Sequence, residues 1–317
     1  MSLGWLRLTV RLSRFELVAF GGAIVLLIAT TVAGAVWIDS LRPPADCLGG
    51  VEAAPRSCEA AMSAWYSAQG GVAGLSAGLL IFVSFAAGLF LGVPIVAREL
   101  ERGTSRLAWS LAPSRMRWFL ARMVPILVAL AVLTFVAGMA EDRMIATTRP
   151  NEDLANSFTA FGFRGLLIAS RAVFIFAVAV VVGAVVARAL PAVIVTAVIA
   201  FVGLAGGTQA HQEILKREAI AVPLDKENFD GGGVSGAMFF DQKFVLPDGT
   251  IVGWEHFGNG GVEPYDQDGN PRYPMVAILV PGERYRFVET REALVLAAGS
   301  LVALLLAGVV VSWRRPG

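Results

Sequence analysis

Residues 165–207 read GLLIASRAVFIFAVAVVVGAVVARALPAVIVTAVIAFVGLAGG. Only Arg171 and Arg188 are charged in this stretch, and Arg188 lies where the apolar run divides into two halves. Each half has about the 20 apolar residues that a helix needs to cross a hydrocarbon core of about 30 Å. The stretch therefore predicts two membrane-spanning helices in a tight hairpin. Pro191 falls in the first turn of the second helix, where a missing N–H is tolerated.

The rest of the chain has the same apolar character. Of its 317 residues 56% are hydrophobic and 16% are charged, whereas a soluble protein has about 25% charged residues. Only a helix satisfies its own backbone in lipid at such lengths, so the fold class is an all-α polytopic membrane protein with six transmembrane helices. The predicted spans are 16–38, 73–96, 120–139, 165–187, 190–207 and 292–313.

The distribution of charge predicts the orientation. The connections 1–15, 97–119 and 188–189, together with the tail after residue 313, hold 11 basic and 2 acidic residues. The connections 39–72 and 140–164 hold 5 basic and 8 acidic residues. Because basic residues accumulate in cytoplasmic loops, both termini are predicted to be cytoplasmic.

The chain begins with a basic amphipathic segment, residues 1–15. Arg7, Arg11 and Arg14 recur at helical spacing, with leucines and Val10 on another face. This pattern is typical of a helix that lies in the membrane interface with its arginines toward anionic lipid; a frayed basic tail is the alternative. The predicted order is this interfacial helix, transmembrane helices 1–5 over 16–207, an extracytoplasmic domain over 208–291, and helix 6 with a basic tail over 292–317.

The extracytoplasmic segment 208–291 is the only connection long enough for a folded unit. Residues 209–220 have helical spacing, and KFVLP at 243–247 and TIVGW at 250–254 are strand-like, divided by Asp-Gly turns. We expect a small mixed domain that is mostly β or irregular. Asp266 and Asp268 have a spacing that calcium ligands also use, but the further oxygen ligands of a calcium loop are missing, so no metal site is expected.

The two cysteines, Cys47 and Cys58, both fall in the first predicted outer connection. On the oxidising side of a membrane they can form a disulfide. Two free buried thiols or a labile redox pair are the alternatives.

The sequence contains none of three common nucleotide-binding or catalytic motifs. No G-x-x-x-x-G-K-[ST] phosphate loop occurs, His211 and His256 belong to no H-E-x-x-H motif, and no G-x-S-x-G elbow is found. Arg171 faces a water-filled path or extends outward to the interface, and Glu16 and Glu292 open their helices. No two of these groups are expected to be adjacent, which argues against a proton relay and an ion-coupled transporter.

Small residues follow the second span at four-residue spacing. They are Ser84, Gly88 and Gly92, extended by Gly74 and Gly78. Such a face lets helices approach closely in lipid, and its partner is either another helix of the chain or a second copy.

Segment 97–118, ARELERGTSRLAWSLAPSRMRW, lies between two apolar spans and is more structured than a connector requires. Gly103 breaks a helix, Thr104 or Ser105 can cap a short following helix, and Ser114 is predicted to cap the third span. The short helix would offer Arg106 and Trp109 to a partner at the membrane surface. A basic anchor with interfacial tryptophans is the alternative.

Residues 92–118, GVPIVARELERGTSRLAWSLAPSRMRW, resemble the ABC-2 type permeases, which are membrane subunits of bacterial ABC exporters. WLRLTVRLSRFEL at 5–17 resembles the amphipathic N-terminal helix of that family. FRG at 163–165, together with R-x-x-P-A at 188–192, resembles its fourth-helix hairpin. Six spans with a large last outer loop agree with its architecture.

This resemblance implies a coupling segment at 97–118 that docks on a separate cytoplasmic ABC ATPase subunit. The implied docking residues are Glu99, Glu101, Gly103, Thr104, Arg106 and Trp109. ATP and Mg would be bound by the partner subunit, with no cofactor and no catalytic residue in this chain.

The resemblance also implies a homodimer of permeases in the bacterial cytoplasmic membrane, with a path between the copies lined by second-helix and fifth-helix residues. The implied path residues are Phe82, Phe85, Thr196 and Phe201. The apolar path favours export of an amphipathic or lipid-like compound, and no nucleic-acid partner is expected. Two other classes stay open: a membrane sensor or immunity protein that binds a ligand through its outer loop, and a membrane enzyme acting there.

Overall fold

Long helices form most of the chain. The computed structural model describes residues 14–44, 47, 56–104, 114–224, 234, 236–257, 264–266 and 271–314. The helices are α1 (Arg14–Ser40), α2 (Arg56–Ala68), α3 (Gly74–Gly92), α4 (Ala97–Glu101), α5 (Arg115–Thr148), α6 (Gly165–Val186), α7 (Ala189–Glu218) and α8 (Tyr285–Trp313). A π-helical turn, Gln69–Ala73, joins α2 to α3, and a 3-10 turn, Val93–Ile95, leads toward α4.

Six helical segments are long and apolar enough to cross a membrane, which confirms the six predicted spans. They are α1, the continuous stretch Cys58–Glu101, α5, α6, α7 and the stretch Gly282–Trp313. The predicted hairpin of the fourth and fifth spans is also confirmed, since α6 ends at Val186 and α7 begins at Ala189. The turn is made by Ala187, which adopts a left-handed backbone conformation with φ 59°.

Helix α5 begins where the sequence predicts and ends later. The Ser114 hydroxyl accepts the backbone N–H of Arg117 at 3.1 Å, which confirms the predicted cap. The expected end at residue 139 is wrong as a helix boundary, because α5 continues to Thr148. Its last turns are polar and include Glu141 and Asp142. Hydropathy locates only the apolar part of the helix, and the helix continues through these polar residues.

The apolar core of the six-helix unit is centred on α6. In the most apolar 18 residues of α6, 61% of the residues are buried, whereas the corresponding share is 17% in α1 and in α7. Phe176 and Val180 of α6 belong to one buried cluster with Leu91 of α3 and Leu130 of α5. The outer helices therefore keep broad apolar faces that a lipid bilayer or another chain can cover.

Glycines bring α3 and α6 into close contact. A Cβ on Gly88 would lie 2.8 Å from the Ala172 carbonyl oxygen, and one on Gly92 would lie 2.6 Å from the Ala179 Cβ. A Cβ on Gly74 or Gly78 would meet nothing within 4 Å. The two alternatives for the small-residue face thus divide along the helix: Gly88 and Gly92 pack within the chain, and the surface at Gly74 and Gly78 is open.

Cys47 and Cys58 form a disulfide, with their Cα atoms 5.6 Å apart. Cys58 lies in the first turn of α2, a helix within the predicted connection 39–72. The disulfide attaches the connection after α1 to the start of the second helical stretch.

A four-stranded antiparallel sheet lies in a second compact unit, formed by Asn151–Thr159 and Gly203–Val288. Its strands are β1 (Ile220–Leu224), β2 (Met238–Val245), β3 (Ile251–Val252) and β4 (Met275–Val280), in the order β1-β4-β2-β3. The strands predicted in KFVLP and TIVGW are confirmed, as is the helix predicted for 209–220, which α7 includes up to Glu218.

The Asp-Gly turn at Asp248 and Gly249 connects β2 to β3 and is confirmed as a hairpin turn. Gly249 has φ +84°, a conformation that glycine adopts without strain. The backbone N–H of Thr250 donates to the Asp248 carboxylate at 2.9 Å, and this bond lowers the pKa of that carboxyl. The Asp-Gly pairs at 230–231 and 268–269 lie outside the described residues.

Segment Asn151–Thr159 belongs to the sheet unit, although it precedes α6 in the chain. The backbone N–H of Phe158 donates to the Gly236 carbonyl oxygen at 2.7 Å, and the Phe158 ring packs edge-on against Tyr285 at 5.6 Å. A Cβ on Gly282 would lie 1.9 Å from the Asn156 carbonyl oxygen. Only glycine permits this approach, so the segment is held by backbone contacts that its composition does not indicate.

Candidate functional site at the arginine-rich helix ends

The predicted docking segment begins with the short helix α4. It follows the 3-10 turn Val93–Ile95 and ends at Glu101. Gly103 has φ +68° and donates its N–H to the Leu100 carbonyl oxygen at 3.2 Å. A glycine in the left-handed region is the usual end of a helix, so the GT pair terminates α4 and turns the chain.

Two ion pairs join α4 to neighbouring helices. Arg98 pairs with Glu16 in the first turn of α1. Glu99 pairs with Arg122 of α5 at 2.8 Å, and both side chains are largely buried, with 19% and 11% exposed. The hydroxyl of Thr104 also donates to Glu99. Buried partners of opposite charge hold each other firmly, because either one alone would be an unpaired charge out of water.

The third acid of this region, Glu101, caps another helix. Its carboxylate accepts the backbone N–H of Ala189 at 3.0 Å, at the first residue of α7. The first N–H groups of a helix have no partner within the helix, and a carboxylate there also interacts favourably with the helix dipole. Glu16, Glu99 and Glu101 together connect α4 to α1, α5 and α7.

On the same side of the unit, arginine side chains donate hydrogen bonds to backbone carbonyl oxygens at the ends of two helices. Arg115, at the start of α5, donates to the carbonyl oxygens of Ser312 at 3.0 Å and Arg314 at 2.6 Å, at the end of α8. Arg314 donates to the Val185 carbonyl oxygen at 3.2 Å, at the end of α6. Cations at the carboxyl ends of helices satisfy free carbonyl groups and oppose the negative end of the dipole. We call this side of the six-helix unit the arginine-rich end.

The structure brings four of the six predicted docking residues together. Glu99 and Glu101 contact other helices, the hydroxyl of Thr104 donates to Glu99 of the same segment, and Gly103 and Thr104 are exposed. Arg106 and Trp109 lie in 105–113, outside the described residues, as does the short helix predicted there. Residues 1–13, which hold most of the predicted interfacial helix, are also outside the described part.

The four predicted path residues lie in different environments. Phe82 and Phe201 are 68% and 70% exposed, Phe85 is half-buried, and Thr196 is fully buried. Within the part of the chain that is described, the Thr196 hydroxyl has no hydrogen-bond partner.

A second polar cluster, which the sequence analysis missed, lies toward the other end of the same helices. Arg171 of α6 pairs with Glu292 of α8 at 2.7 Å and donates to the Gly162 carbonyl oxygen at 2.9 Å. The expectation that no two ionisable residues of the spans are adjacent is therefore wrong. The two residues are 121 positions apart in the sequence, so no local pattern could pair them.

Asp142 and Glu141 of α5 belong to the same region. Asp142 pairs with the buried Arg164 at 2.7 Å, just before α6. Glu141 is 2% exposed, lies 3.4 Å from the Ser76 hydroxyl of α3, and has one carboxylate oxygen without a hydrogen-bond partner among the described residues. The acidic pair at 141–142 is the sequence signal for this cluster, but hydropathy assigns both residues to the connection 140–164.

These features define a multi-pass helical membrane protein whose polar contacts are concentrated at the two ends of its helices. The chain belongs to the ABC-2 membrane transporter related family, whose family model matches residues 16–210. The match includes the first four spans, α4 and most of α7, and thus the whole set of contacts made by Glu16, Glu99 and Glu101. It confirms the resemblance to ABC-2 permeases. No curated protein and no solved structure matches the chain.

Proposed function

We propose that the chain is the transmembrane permease subunit of an ABC exporter in the bacterial cytoplasmic membrane. It would move an amphipathic or lipid-like compound out of the cell, while ATP and Mg are bound and ATP is hydrolysed on a separate cytoplasmic subunit. Membership of the ABC-2 related family supports the permease assignment. The observation that carries the coupling role is the attachment of α4 to three different helices.

The proposed coupling passes through these attachments. A partner that presses on the exposed turn at Gly103 and Thr104 would move α4. Because Glu16–Arg98, Glu99–Arg122 and Glu101–Ala189 connect α4 to α1, α5 and α7, those helices would move with it. Arg106 and Trp109 complete the proposed docking surface. The ATPase drives the change only as far as it binds ATP differently in the two states of the complex.

Two copies of the chain are proposed to form the exporter, with Phe82, Phe85 and Phe201 along the path. The support is the exposed apolar surface of α7, where Leu190 and Phe201 are 71% and 70% exposed. A surface of this kind in a membrane helix is covered by lipid or by another chain. The open small-residue positions Gly74 and Gly78 offer a further place for close approach.

The test is coexpression with an ABC ATPase encoded beside this gene. We would measure copurification and stimulation of ATP hydrolysis for the unaltered chain and for Arg106→Glu and Trp109→Ala. Arg143→Glu is the matched control, because Arg143 is exposed and lies near the far end of α5. We expect each docking variant to weaken stimulation about tenfold or more, as Arg and Trp often dominate interfaces.

Glu101 is a poor first choice for this test, because its removal also leaves the start of α7 uncapped. Equal stimulation by Arg106→Glu, Trp109→Ala and Arg143→Glu would contradict the proposed docking surface. Failure of any ATPase to copurify with the unaltered chain would favour the sensor or immunity protein instead.

A further inference from the structure

A charged cleft of about 80 Å³ lies at the arginine-rich end, between the start of α1, the end of α3, α4 and α5. Arg98, Arg102 and Arg122 line it, together with the carboxylates of Glu16 and Glu99. By the measure of about 10 to 15 Å³ for one water, the cleft has room for several waters or one small polar group.

The cleft has far more hydrogen-bond donors than acceptors. A guanidinium has five N–H donors. Arg98 donates only to Glu16 and Arg122 only to Glu99, while the side chain of Arg102 has no hydrogen-bond partner in the described ranges. Three guanidiniums against two carboxylates leave one positive charge, and most of their N–H groups have no acceptor among the described residues.

Burial restricts what can fill this need. The Arg122 side chain is only 11% exposed, and its guanidinium lies 5.4 Å from the centre of the Trp118 ring, which offers no acceptor oxygen. None of its nitrogens is buried without a partner, so its remaining N–H groups can be reached from the cleft that Arg122 lines. Planar guanidiniums match the oxygens of phosphate groups, which accept several charge-assisted bonds at once.

Apolar side chains form the rest of the cleft. Ile95 and Ile126 line it, and so does Phe90, which is 41% exposed and stacks on Phe20 with ring centres 5.5 Å apart. A cleft with guanidiniums beside an apolar wall, at the end of membrane-spanning helices, suits a molecule with an anionic head and hydrocarbon chains.

We propose that this cleft binds the phosphate group of an anionic phospholipid, with Arg102 supplying the free guanidinium and Arg122 and Arg98 completing the cradle. The acyl chains would pass along Phe90 and Ile126. A zwitterionic head group fits less well, because Glu16 and Glu99 are already paired and leave no free carboxylate for its amine. The bound lipid would connect α1, α4 and α5.

The test uses the full chain purified in detergent, without an ATPase, so it is independent of the exporter assignment. Retention of phosphatidylglycerol and of phosphatidylcholine is measured by native mass spectrometry for the unaltered chain, Arg102→Gln and Arg102→Lys. Arg117→Gln is the matched control. Arg117 is exposed in the first turn of α5 and loses the same charge, but it does not line the cleft.

We expect Arg102→Gln to lower phosphatidylglycerol retention about tenfold, the loss typical of a hydrogen bond to a charged group. Arg102→Lys should retain more lipid than Arg102→Gln, and Arg117→Gln should change retention less than about twofold. A melting curve for each variant checks that the fold is intact.

Equal retention by Arg102→Gln and Arg117→Gln, or equal binding of phosphatidylcholine and phosphatidylglycerol, would overturn the proposal. A third arm titrates inorganic phosphate. If it displaces phosphatidylglycerol only at high concentration, the lipid is the ligand. If inorganic phosphate binds as tightly as phosphatidylglycerol and this binding depends on Arg102, the cleft is a phosphate site and the assignment of a lipid as its ligand is wrong.

Discussion

At the residue scale, the acids of segment 97–118 have two possible uses, and their sequence positions do not distinguish them. Glu99 and Glu101 read as a charged surface offered to a partner, yet Glu99 contacts Arg122 and Glu101 contacts the backbone of residue 189. Both partners are distant in the chain. The proposed docking surface therefore rests on Gly103, Thr104, Arg106 and Trp109, and the two acids attach the segment to α5 and α7.

The Glu99–Arg122 pair gives a stability prediction. Glu99→Ala leaves a largely buried guanidinium without its carboxylate, so we expect a loss of about 2 kcal/mol or more in unfolding free energy. Glu213→Ala is the control, because its pair with Lys216 is exposed, with 61% and 51% of the side chains accessible, and should contribute less than about 1 kcal/mol. Thermal unfolding in detergent measures both. Equal melting temperatures for the two variants would contradict the prediction.

The same Gly→Ala substitution should affect stability differently at two glycines of α3. Gly92→Ala places a methyl group 2.6 Å from the Ala179 Cβ and should lower stability by about 1 to 3 kcal/mol through overpacking. Gly78→Ala meets nothing within 4 Å and should leave stability unchanged or raise it by up to about 1 kcal/mol. The melting temperature should therefore fall for Gly92→Ala and stay unchanged or rise for Gly78→Ala. A shift of Gly92→Ala to higher temperature would show that α3 and α6 do not pack as described.

At the scale of the elements, hydropathy located every span, and end signals located some boundaries. Ser114 predicts the start of α5 because a hydroxyl cap is a local interaction. The end of α5 was missed because a helix continues beyond its apolar part when polar residues find partners, as Asp142 does with Arg164. The hairpin at Asp248 and Gly249 was found from its turn residues, which act over a few positions.

The disulfide carries a prediction for the start of the second helical stretch. Reduction, or the double change Cys47→Ser and Cys58→Ser, should lower the unfolding free energy by about 2 to 3 kcal/mol. The reason is that the disulfide, whose cysteines are separated by 11 positions, no longer restricts the unfolded chain. Melting curves with and without a reductant measure this. The double variant is the control and should not respond to the reductant; a response from it would point to another effect.

At the scale of the whole molecule, the arrangement of arginines predicts the direction of insertion. An epitope tag placed after Gly249, in the exposed turn between β2 and β3, should be reached by antibody on intact spheroplasts. A tag at the C-terminus should be reached only after lysis, because the basic connections are predicted to lie in the cytoplasm. The reverse pattern would show that the charge-based orientation is wrong.

The sequence alone determined the class of the protein, its six spans, the hairpin of the fourth and fifth helices, the cap at Ser114 and the resemblance to ABC-2 permeases. These follow from hydropathy, turn residues and short motifs, which are properties of neighbouring residues. Which charges meet depends instead on the folded arrangement of the helices. The pairs Arg171–Glu292, Asp142–Arg164 and Glu99–Arg122 join different helices. Such pairings depend on how the helices pack, and no spacing along one helix specifies them.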